Sequence, residues 1–584
     1  MSWDNELLVG IIEGLQGRLT LGSGLFGLQT RFLDSVERQI LENQGNWCAH
    51  WEDIKVSLDF DPTLVHGNRF LGKVILGCSV TGGIWNSTLE DCEIDKGAMV
   101  DRVTLLRRTM VLKNAQLRGC EVNCSQPTVY SLGGEFKAGL ETPGREVPLS
   151  SEATMEEFIL ALHSKDLQEK IKTINKAITW EYSVIGESSI LEGGGYDQVF
   201  VGPGSRCSRV MELKNTCLIS TLEEPVIIGP GVLVRDSVLQ WGVHLDSGAQ
   251  IYSSVLLEYS GAERQALVTH SLLGPNTSVG EGEVTASLLG PFVGMHHQSL
   301  VIAAYWPQGG GNIGYGANVG SNHTGRVPDQ EIRPGEGQFF GLGVNVKFPC
   351  DFSLSPYTLV ATGVTLSPQR MELPFSLILA GDNPVENRVI PGWALSENLY
   401  ALFRNRKKYL SRDKARRQSF ALDPFRPSIV DNVWKTWEKL GELCGKEFYT
   451  QKDWSGIGAN RLSEKDRIFA LSSYENLLRF VGLFEKVLSY RENRGSDLLL
   501  QVVFKHFHPE NKGVNRVFTA FMEIFDILIQ GVEKSRSRDT ERGRTIISDY
   551  EEFHPSLEKD PVIQELREEL VAWADWGDRE FSRV

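Results

Sequence analysis

A six-residue repeat of aliphatic side chains constrains this chain more than any other feature. In the stretch PVIIGPGVLVRDSVLQWGVHLDSGAQIYSSVLLEYS a large aliphatic residue returns at every sixth position, namely at Ile227, Leu233, Leu239, Leu245, Ile251 and Leu257. An amphipathic helix would return at intervals of three and four residues, and a half-buried strand at intervals of two. The spacing therefore predicts short strands joined by tight turns and wound into a solenoid.

The same period recurs in two other blocks of the sequence. One block contains Leu342, Phe348, Leu354, Val360 and Leu366; the other contains Ile94, Val100, Leu106 and Leu112, with Leu105, Val111 and Leu117 beside them. Three such strands would close one triangular coil of about eighteen residues around an aliphatic interior. The 58 glycines agree with this prediction, because the turns need residues that tolerate a positive φ.

These hexads resemble the left-handed parallel β-helix of the hexapeptide-repeat superfamily. The resemblance covers roughly residues 76–124 and 181–381. It implies a mainly β fold. It also implies a homotrimer, because prisms of this kind usually pack as closed trimers.

The interruptions of the repeat predict the domain organisation. The six-residue repeat ends after Pro127. A helical pattern follows in the stretch SEATMEEFILALHSKDLQEKIKTINKAI, with Ser151 as the expected N-cap. After Gly392 the repeat stops again, and long helical segments follow. We therefore expect a helical N-terminal cap and entry segment at 1–75, first coils at 76–126, a loop and helical insertion at 127–180, the main left-handed β-helix at 181–392, and an α-helical C-terminal domain at 393–584.

Composition narrows the class of protein further. The net charge of −15 disfavours binding to nucleic acid, since an acidic chain is repelled by phosphates. Nine scattered cysteines favour a reducing compartment over a disulfide framework. The first residues lack the pattern of a signal peptide, and no stretch approaches eighteen uncharged apolar residues. We predict a cytoplasmic protein with no nucleic-acid or membrane partner.

The run GGGNIGYGANVGSNHTGR, residues 309–326, lies inside the repeat, because Ile313 and Val319 continue the six-residue spacing. It contains no Walker A sequence and no dinucleotide-binding fingerprint. Together with the preceding His296-His297, the elements Asn312-Ile313-Gly314-Tyr315-Gly316 and Asn322 resemble the acetyltransferase half of the N-acetylglucosamine-1-phosphate uridyltransferases. Two spacings are about one residue longer than in that family, and Thr324 replaces its aspartate. Over its full length the chain is similar to an uncharacterised bacterial family that shares the GGGNIGYG run.

The resemblance implies acyl transfer from a coenzyme A thioester to a sugar or a nucleotide sugar. A histidine suits the role of general base, because its imidazole titrates near neutrality. The family spacing favours His297 as this catalytic base, with His296 next. The candidate substrate-binding residues are Asn312, Tyr315, Asn318, Asn322, His323, Arg326, Tyr305 and Trp306.

Two other functions remain open from the sequence. The first is a non-catalytic trimeric scaffold or sugar-nucleotide-binding protein. The second is an inter-subunit zinc enzyme of the carbonic anhydrase type, which three histidines could support. Neighbours on a strand point to opposite faces, so His296 and His297 could both reach one ion only at a bend, and we expect no metal.

The segment RNRKKYLSRDKARR, residues 404–417, has eight basic residues in fourteen. Such a run can bind a phosphate-bearing ligand or lie against acidic side chains of the same protein. We favour docking of the helical domain on acidic edges of the solenoid, with a phosphate-bearing ligand as the second interpretation.

Overall fold

The computed structural model describes residues 29–79, 81–320, 331–383, 386–508 and 513–581. The chain divides into two compact units. Unit one comprises the described part of Met1–Ile332 together with Lys414–Ser419, and unit two comprises Arg333–Asp413 together with Phe420–Val584. The predicted class is confirmed, since a parallel β-solenoid carries a helical insertion and is followed by a C-terminal helical region.

Unit one is a three-sided solenoid in which each side is a ladder of short parallel strands. The first face consists of Val65–His66, Gly83–Trp85, Met99–Asp101, Gln116–Arg118, Ile190–Glu192, Arg206–Ser208, Ile227–Ile228, His244–Leu245, Gly261–Glu263, Ser278–Gly280, Gly294–Met295 and Asn312–Ile313.

The second and third faces share three long strands that run around the corner between them: Gly195–Val201, Glu212–Leu218 and Leu233–Leu239. The second face also has Trp47–Cys48, Arg69–Leu71, Thr88–Glu90, Leu105–Arg107, Glu121–Asn123, Gln250–Tyr252, Leu267–Thr269, Glu283–Thr285, Leu300–Ile302 and Asn318–Val319. The third has Ile54–Ser57, Val74–Leu76, Glu93–Ile94, Thr109–Val111, Ser183–Ile185, Val255–Leu256, Leu272–Leu273, Leu288–Leu289 and Tyr305–Trp306.

Most coils of the first face are shorter than the eighteen residues that a strict hexad repeat requires. On the first face Leu245 pairs with Ala262, which lies seventeen positions later. The step from the second to the third face takes five residues, as from Val234 to Leu239, because the chain turns this corner within a single strand.

Because of these shorter steps, the six-residue period predicts some of the core residues wrongly. Leu239, Leu245 and Ile251 are fully buried as expected. Ile227 is 40% exposed, and its neighbour Ile228 points inward instead. The predicted row that begins at Leu342 is also displaced from the core. Leu342 is 50% exposed, whereas Phe340 is buried.

Buried serines form the corner between the second and third faces. The hydroxyl of Ser237 accepts a hydrogen bond from the backbone N–H of Ser254 in the next coil, and the hydroxyl of Ser254 accepts one from Ser271. Each hydroxyl also donates to a backbone carbonyl two residues earlier, as Ser254 does to Tyr252. The ladder satisfies backbone groups that would otherwise be buried without partners.

The solenoid begins earlier than the hexads indicate. Trp47–Cys48 already pairs in parallel with Arg69–Leu71 of the next coil, so the coils start well before residue 76. Before them lie the strand Thr30–Phe32, which pairs antiparallel with Ile54–Ser57, and the helix Ser35–Asn43. The short 3-10 helices Trp51–Asp53 and Pro62–Leu64 belong to the same region. The six-residue period did not predict these early coils, because their inward aliphatic residues are irregularly spaced.

The insertion covers the outer side of the third face. It contains the hairpin Glu135–Lys137 with Glu146–Pro148 and the helices Met155–Leu162 and Lys165–Ala177. The N-cap of the first helix is Thr154, which forms a capping box with Glu157, and not the predicted Ser151. Its apolar side packs on a row of buried side chains that point away from the solenoid interior, including Val238, Val255, Leu272 and Leu288.

Unit two joins the last coils to the helices. Its strands are Phe339–Phe340, Asn345–Val346, Cys350–Asp351, Leu359–Val360, Thr365–Leu366, Gln369–Arg370, Leu377–Asn383, Glu386–Ile390, Phe448–Tyr449 and Asn460–Ser463. Its helices are Trp393–Ser396, Leu399–Arg412, Pro427–Glu442, Glu464–Arg491, Leu498–Phe507, Val514–Ile546, Tyr550–Phe553 and Pro561–Phe581, with 3-10 turns at Ser455–Ile457 and Leu557–Lys559.

One strand of the helical region continues the sheet of the last coils. Asn460–Ser463 pairs in parallel with Glu386–Ile390. The hydroxyl of Tyr474 donates to the carbonyl of Pro374 at 2.6 Å, which fastens the helix Glu464–Arg491 to the same coils. The last coils therefore pack with the helices that follow them, and the predicted boundary at residue 393 falls inside unit two. None of the helices in the described ranges combines the length and the hydropathy needed to cross a membrane.

Candidate functional site

Both candidate catalytic histidines lie at the corner between the first and second faces of unit one. The strand Gly294–Met295 ends immediately before them, and the next strand begins at Leu300. His296 and His297 are both exposed. The alternation of side chains along a strand therefore does not apply to them, and the turn allows both to face outward. We call this turn, with Arg264, Glu281 and Asn312 beside it, the histidine corner.

The ring of His296 folds back over a glycine toward Asn312. Gly294 pairs with Asn312 on the first face. A methyl group at the Cβ position of residue 294 would lie 2.8 Å from Oδ1 of Asn312 and 3.1 Å from Nε2 of His296. Both polar groups therefore lie close to Gly294, in space that a side chain at position 294 would fill.

His297 faces a carboxylate instead. Its Nδ1 lies 3.8 Å from Oε2 of Glu281 in the preceding coil, and its side chain is 60% exposed. The two nitrogens of an imidazole point to different sides of the ring, so Nε2 is turned away from the carboxylate. A carboxylate beside Nδ1 favours the tautomer with the proton on Nδ1 and leaves Nε2 able to accept one.

Arg264 links the charged groups of the corner. Its Nη2 lies 3.0 Å from Oε1 of Glu263 and 3.5 Å from the carbonyl oxygen of His296. Its Nε lies 3.9 Å from Oε1 of Glu281. The carboxylate that faces His297 is therefore itself positioned by a neighbouring cation.

The other predicted binding residues divide into three groups. Tyr315 is 55% exposed and occupies the turn of the next coil, two residues after the inward Ile313, as His297 follows the inward Met295. Asn318 begins the strand Asn318–Val319, which pairs with the strand that follows the histidines. Asn322, His323 and Arg326 lie outside the described residues.

The aromatic pair lies elsewhere in the coil. Tyr305–Trp306 is a strand of the third face, on which the insertion packs. Trp306 is fully buried in the solenoid interior, so its side chain cannot wall a ligand pocket. Tyr305 is half-buried and lies against Gly139 of the insertion, where a methyl group at the Cβ position would be 2.8 Å from the Cβ of Tyr305. The structure places both residues away from the histidines.

The described residues contain no group of three histidine, cysteine or acidic side chains arranged to hold a metal ion, while His323 lies outside them. Cys120 and Cys124 are buried free thiols. Burial raises the pKa of each to about 12. Neither thiol is then ionised near neutral pH, which disfavours both nucleophilic catalysis and metal binding.

Part of the basic segment lies on unit one at the corner between the third and first faces. The guanidinium of Arg417 donates to Oε2 of Glu224 at 2.9 Å and to Oε1 of Glu258 at 2.7 Å. Its central carbon lies 3.6 Å from the centroid of the Trp241 ring. We call these residues, with Tyr259, the Arg417 cluster. Its arginine stood out in the sequence, whereas its carboxylates occupy ordinary turn positions and gave no signal.

The two carboxylates of the Arg417 cluster are almost completely buried. Glu258 is 0% exposed and Glu224 is 4% exposed. Burial by itself raises the pKa of Glu224, but hydrogen bonds from Arg417 and from the hydroxyl of Tyr259 outweigh it, and the pKa is lowered. Ion pairs with these two buried carboxylates hold the segment Lys414–Ser419 on the solenoid.

Fold and site together define a class of protein, a parallel β-solenoid with a helical insertion, a polar turn bearing two histidines and a helical C-terminal region. Within this class the chain belongs to the family described as Domain of unknown function (DUF4954), which matches residues 30–444.

Two comparisons with individual proteins add little on function. A protein of Treponema pallidum (strain Nichols), described as uncharacterized, is 26% identical over 471 residues, which are 75% of this chain and 64% of the length of that protein. A crystal structure of a proposed acetyltransferase from Desulfovibrio desulfuricans G20 is 12% identical and covers 64% of this chain and 78% of its own. Its TM-score is 0.10, so that likeness supports no argument.

Proposed function

We propose that the histidine corner is an acyltransferase site that acts on an amine or hydroxyl of a sugar or nucleotide sugar, within a homotrimer. The observation that carries this proposal is the orientation of His297, whose Nδ1 faces Glu281 at 3.8 Å while Nε2 faces away from that carboxylate. The insertion covers the third face, and Lys414–Ser419 occupies the corner between the third and first faces. The exposed histidine corner is covered by neither.

The residues of the corner divide the chemistry between them. A coenzyme A thioester supplies the activated acyl group when it is bound. Nε2 of His297 accepts the proton of the acceptor amine or hydroxyl as that group forms its bond to the acyl carbon. Glu281 stabilises the imidazolium that results by about 1 kcal/mol, the scale of a solvent-exposed ion pair at this distance. The same nitrogen then returns the proton to the departing sulfur, so that a free thiol is released.

The neutral polar groups of the corner suit a polyhydroxyl acceptor. The amide of Asn312 and the ring of His296 both lie close to Gly294, and the phenol of Tyr315 lies exposed in the next turn. Such groups can donate and accept hydrogen bonds with sugar hydroxyls. In this proposal His296 and Asn312 orient the acceptor, and His297 moves the proton.

The experiment measures thiol release from acetyl-coenzyme A by the full-length chain in the presence of amino sugars and nucleotide sugars. We expect His297→Ala to lower turnover by about 10²- to 10⁴-fold, the usual effect of losing a general base. Glu281→Gln should lower it by about two- to fivefold, because the imidazolium loses a neighbouring charge that is partly exposed to solvent. His244→Ala is the matched control, since His244 is an exposed histidine on the same face, and it should keep full activity.

Two outcomes would contradict this assignment. Full activity in His297→Ala with loss in His296→Ala would transfer the role of base to His296. Absence of thiol release with every acceptor, together with no change in melting temperature on adding acetyl-coenzyme A, would favour the non-catalytic scaffold, because a bound ligand must stabilise the native state.

A further inference from the structure

Unit two contains a cleft with an excess of arginine that lies wholly within that unit. The cleft has a volume of about 480 Å³ and runs between the helices Leu399–Arg412, Val514–Ile546 and Tyr550–Phe553. Its lining residues are Tyr400, Arg404, Arg536, Asp539, Arg542, Gly543, Ile546, Ile547 and Tyr550. The lining has three cations and one carboxylate, and the buried Asp560 pairs with one of the cations, which leaves one net positive charge at the cleft in a chain whose net charge is −15. We call it the arginine cleft.

One arginine of the cleft is fixed in place by buried partners. Arg536 is 8% exposed, and its Nε lies 3.3 Å from Oδ2 of Asp560, which is 2% exposed. The hydroxyl of Tyr400 donates to the same carboxylate oxygen at 2.8 Å, and Nη1 of Arg536 donates to Thr540 at 3.0 Å. Burying a cation is costly without such partners. Arg536 is therefore a preorganised group and not a freely moving surface side chain.

The other two arginines lie at the mouth. Arg404 and Arg542 are both exposed, and they come from different helices. Like charges that line one small cleft repel each other, and Asp539 together with the Asp560 that pairs with Arg536 offsets two of the three. A bound polyanion would relieve this repulsion. Arginine also matches the geometry of phosphate oxygens, which it can bind through two parallel hydrogen bonds.

Two exposed aliphatic residues also line the cleft. Ile546 is 76% exposed and Ile547 is 51% exposed, although both are large aliphatic residues. Gly543 also lines the cleft, and a methyl group at its Cβ position would lie 2.3 Å from a ring carbon of Tyr550. Glycine costs about 1 kcal/mol relative to alanine inside a helix, so its presence here is explained by the close approach of the tyrosine ring.

We propose that the arginine cleft binds a nucleoside diphosphate or a derivative of one, with the phosphates on Arg404, Arg536 and Arg542 and the base or sugar against Ile546 and Ile547. The site lies entirely in unit two and does not depend on the proposed acyl transfer at the histidine corner. It gives the basic segment 404–417 two separate roles, since Arg404 lines the cleft whereas Arg417 holds Lys414–Ser419 on unit one.

The test is calorimetric titration of the full-length chain with ADP, GDP, UDP and CDP, with pyrophosphate and the matching nucleosides as probes of each half of the ligand. We expect at least one diphosphate to bind, its nucleoside to bind at least a hundredfold more weakly, and pyrophosphate to bind about tenfold more weakly. Affinity should fall as salt rises, because phosphate contacts are screened. Arg404→Gln and Arg542→Gln should each weaken binding at least tenfold.

The matched control is Arg544→Gln. Arg544 is exposed on the same helix, but it lies 3.7 Å from Glu551 and does not line the cleft. Its replacement should leave the affinity unchanged, and all three variants should keep the melting temperature of the wild type. The proposal is overturned if none of the four diphosphates binds, if the control weakens binding as much as Arg542→Gln, or if single-stranded RNA binds more tightly than the diphosphates and depends on the same arginines.

Discussion

At the scale of single residues, the Arg417 cluster is the most consequential set of charges in unit one. The guanidinium of Arg417 bridges two carboxylates that are almost fully buried, and it also stacks on Trp241. Removing one partner of a buried pair leaves a charge without compensation. We expect Arg417→Ala to lower the free energy of unfolding by about 3 kcal/mol, measured by urea denaturation followed by circular dichroism.

The neighbouring residue provides the control for this prediction. Arg416 approaches the same Glu224 at 3.7 Å, but its side chain is 63% exposed. An exposed pair contributes little, so Arg416→Ala should change the free energy of unfolding by less than about 1 kcal/mol. Equal losses in the two variants would show that burial of the pair does not determine its contribution.

The stabilisation should also depend on pH in a defined direction. The pKa of Glu224 is lowered in the folded protein. The stability it contributes is therefore present above the ordinary carboxyl pKa and is lost as the pH falls through the lowered value. Glu224→Gln should flatten this part of the acid unfolding curve, in which the wild type loses stability below about pH 4.5.

At the scale of elements, the insertion supports the third face of the solenoid. Phe158 of the helix Met155–Leu162 is fully buried and meets Phe136 of the hairpin edge-on, with ring centroids 5.5 Å apart. Removing a buried phenyl ring leaves a cavity, so Phe158→Ala should lower the free energy of unfolding by about 3–5 kcal/mol. On the same helix Leu160 is 44% exposed, and Leu160→Ala should cost less than about 1 kcal/mol. Thermal unfolding of both variants tests the difference, and similar losses would contradict the role assigned to the insertion.

The elements also show how far the sequence predicts this structure. The six-residue period predicted parallel strands and tight turns, because every coil must return an aliphatic side chain to the interior. It did not predict the five-residue step at the serine corner, so Ile227 was assigned to the core although it is 40% exposed. Trp306 was predicted to be a pocket residue because an aromatic cluster follows the histidines closely in the sequence, whereas the fold turns Trp306 inward.

The candidate site was predictable only in part, for a related reason. The sequence predicts that His296, His297 and Asn312 lie close together, because the repeat brings equivalent positions of neighbouring coils side by side. Glu281 and Arg264 lie one and two coils earlier, so their contribution depends on the register between coils. The arginine cleft joins Arg404 to Arg542 across two helices that are distant in sequence. The six-residue period does not extend to these helices and cannot predict which of their side chains meet.

At the scale of the whole molecule, the remaining prediction concerns the homotrimer. The insertion covers the third face of unit one, so copies that meet through the solenoid have the first and second faces available. Leu300 and Ile302 flank the inward Val301 on the second face, directly after the histidines, and both are only partly buried. Trimer contacts through this strand would place the histidine corner between subunits.

Light scattering on the purified chain should therefore give about three times the chain mass of 65.2 kDa. Leu300→Glu should convert the trimer to monomers, because it would bury an unpaired charge in the contact. Leu160→Glu places the same charge on the exposed side of the insertion helix and should leave the trimer intact. A monomeric wild type would contradict the proposed assembly, and a trimeric Leu300→Glu variant would move the contact to another surface. In either case the histidine corner would have to bind its substrates within one chain.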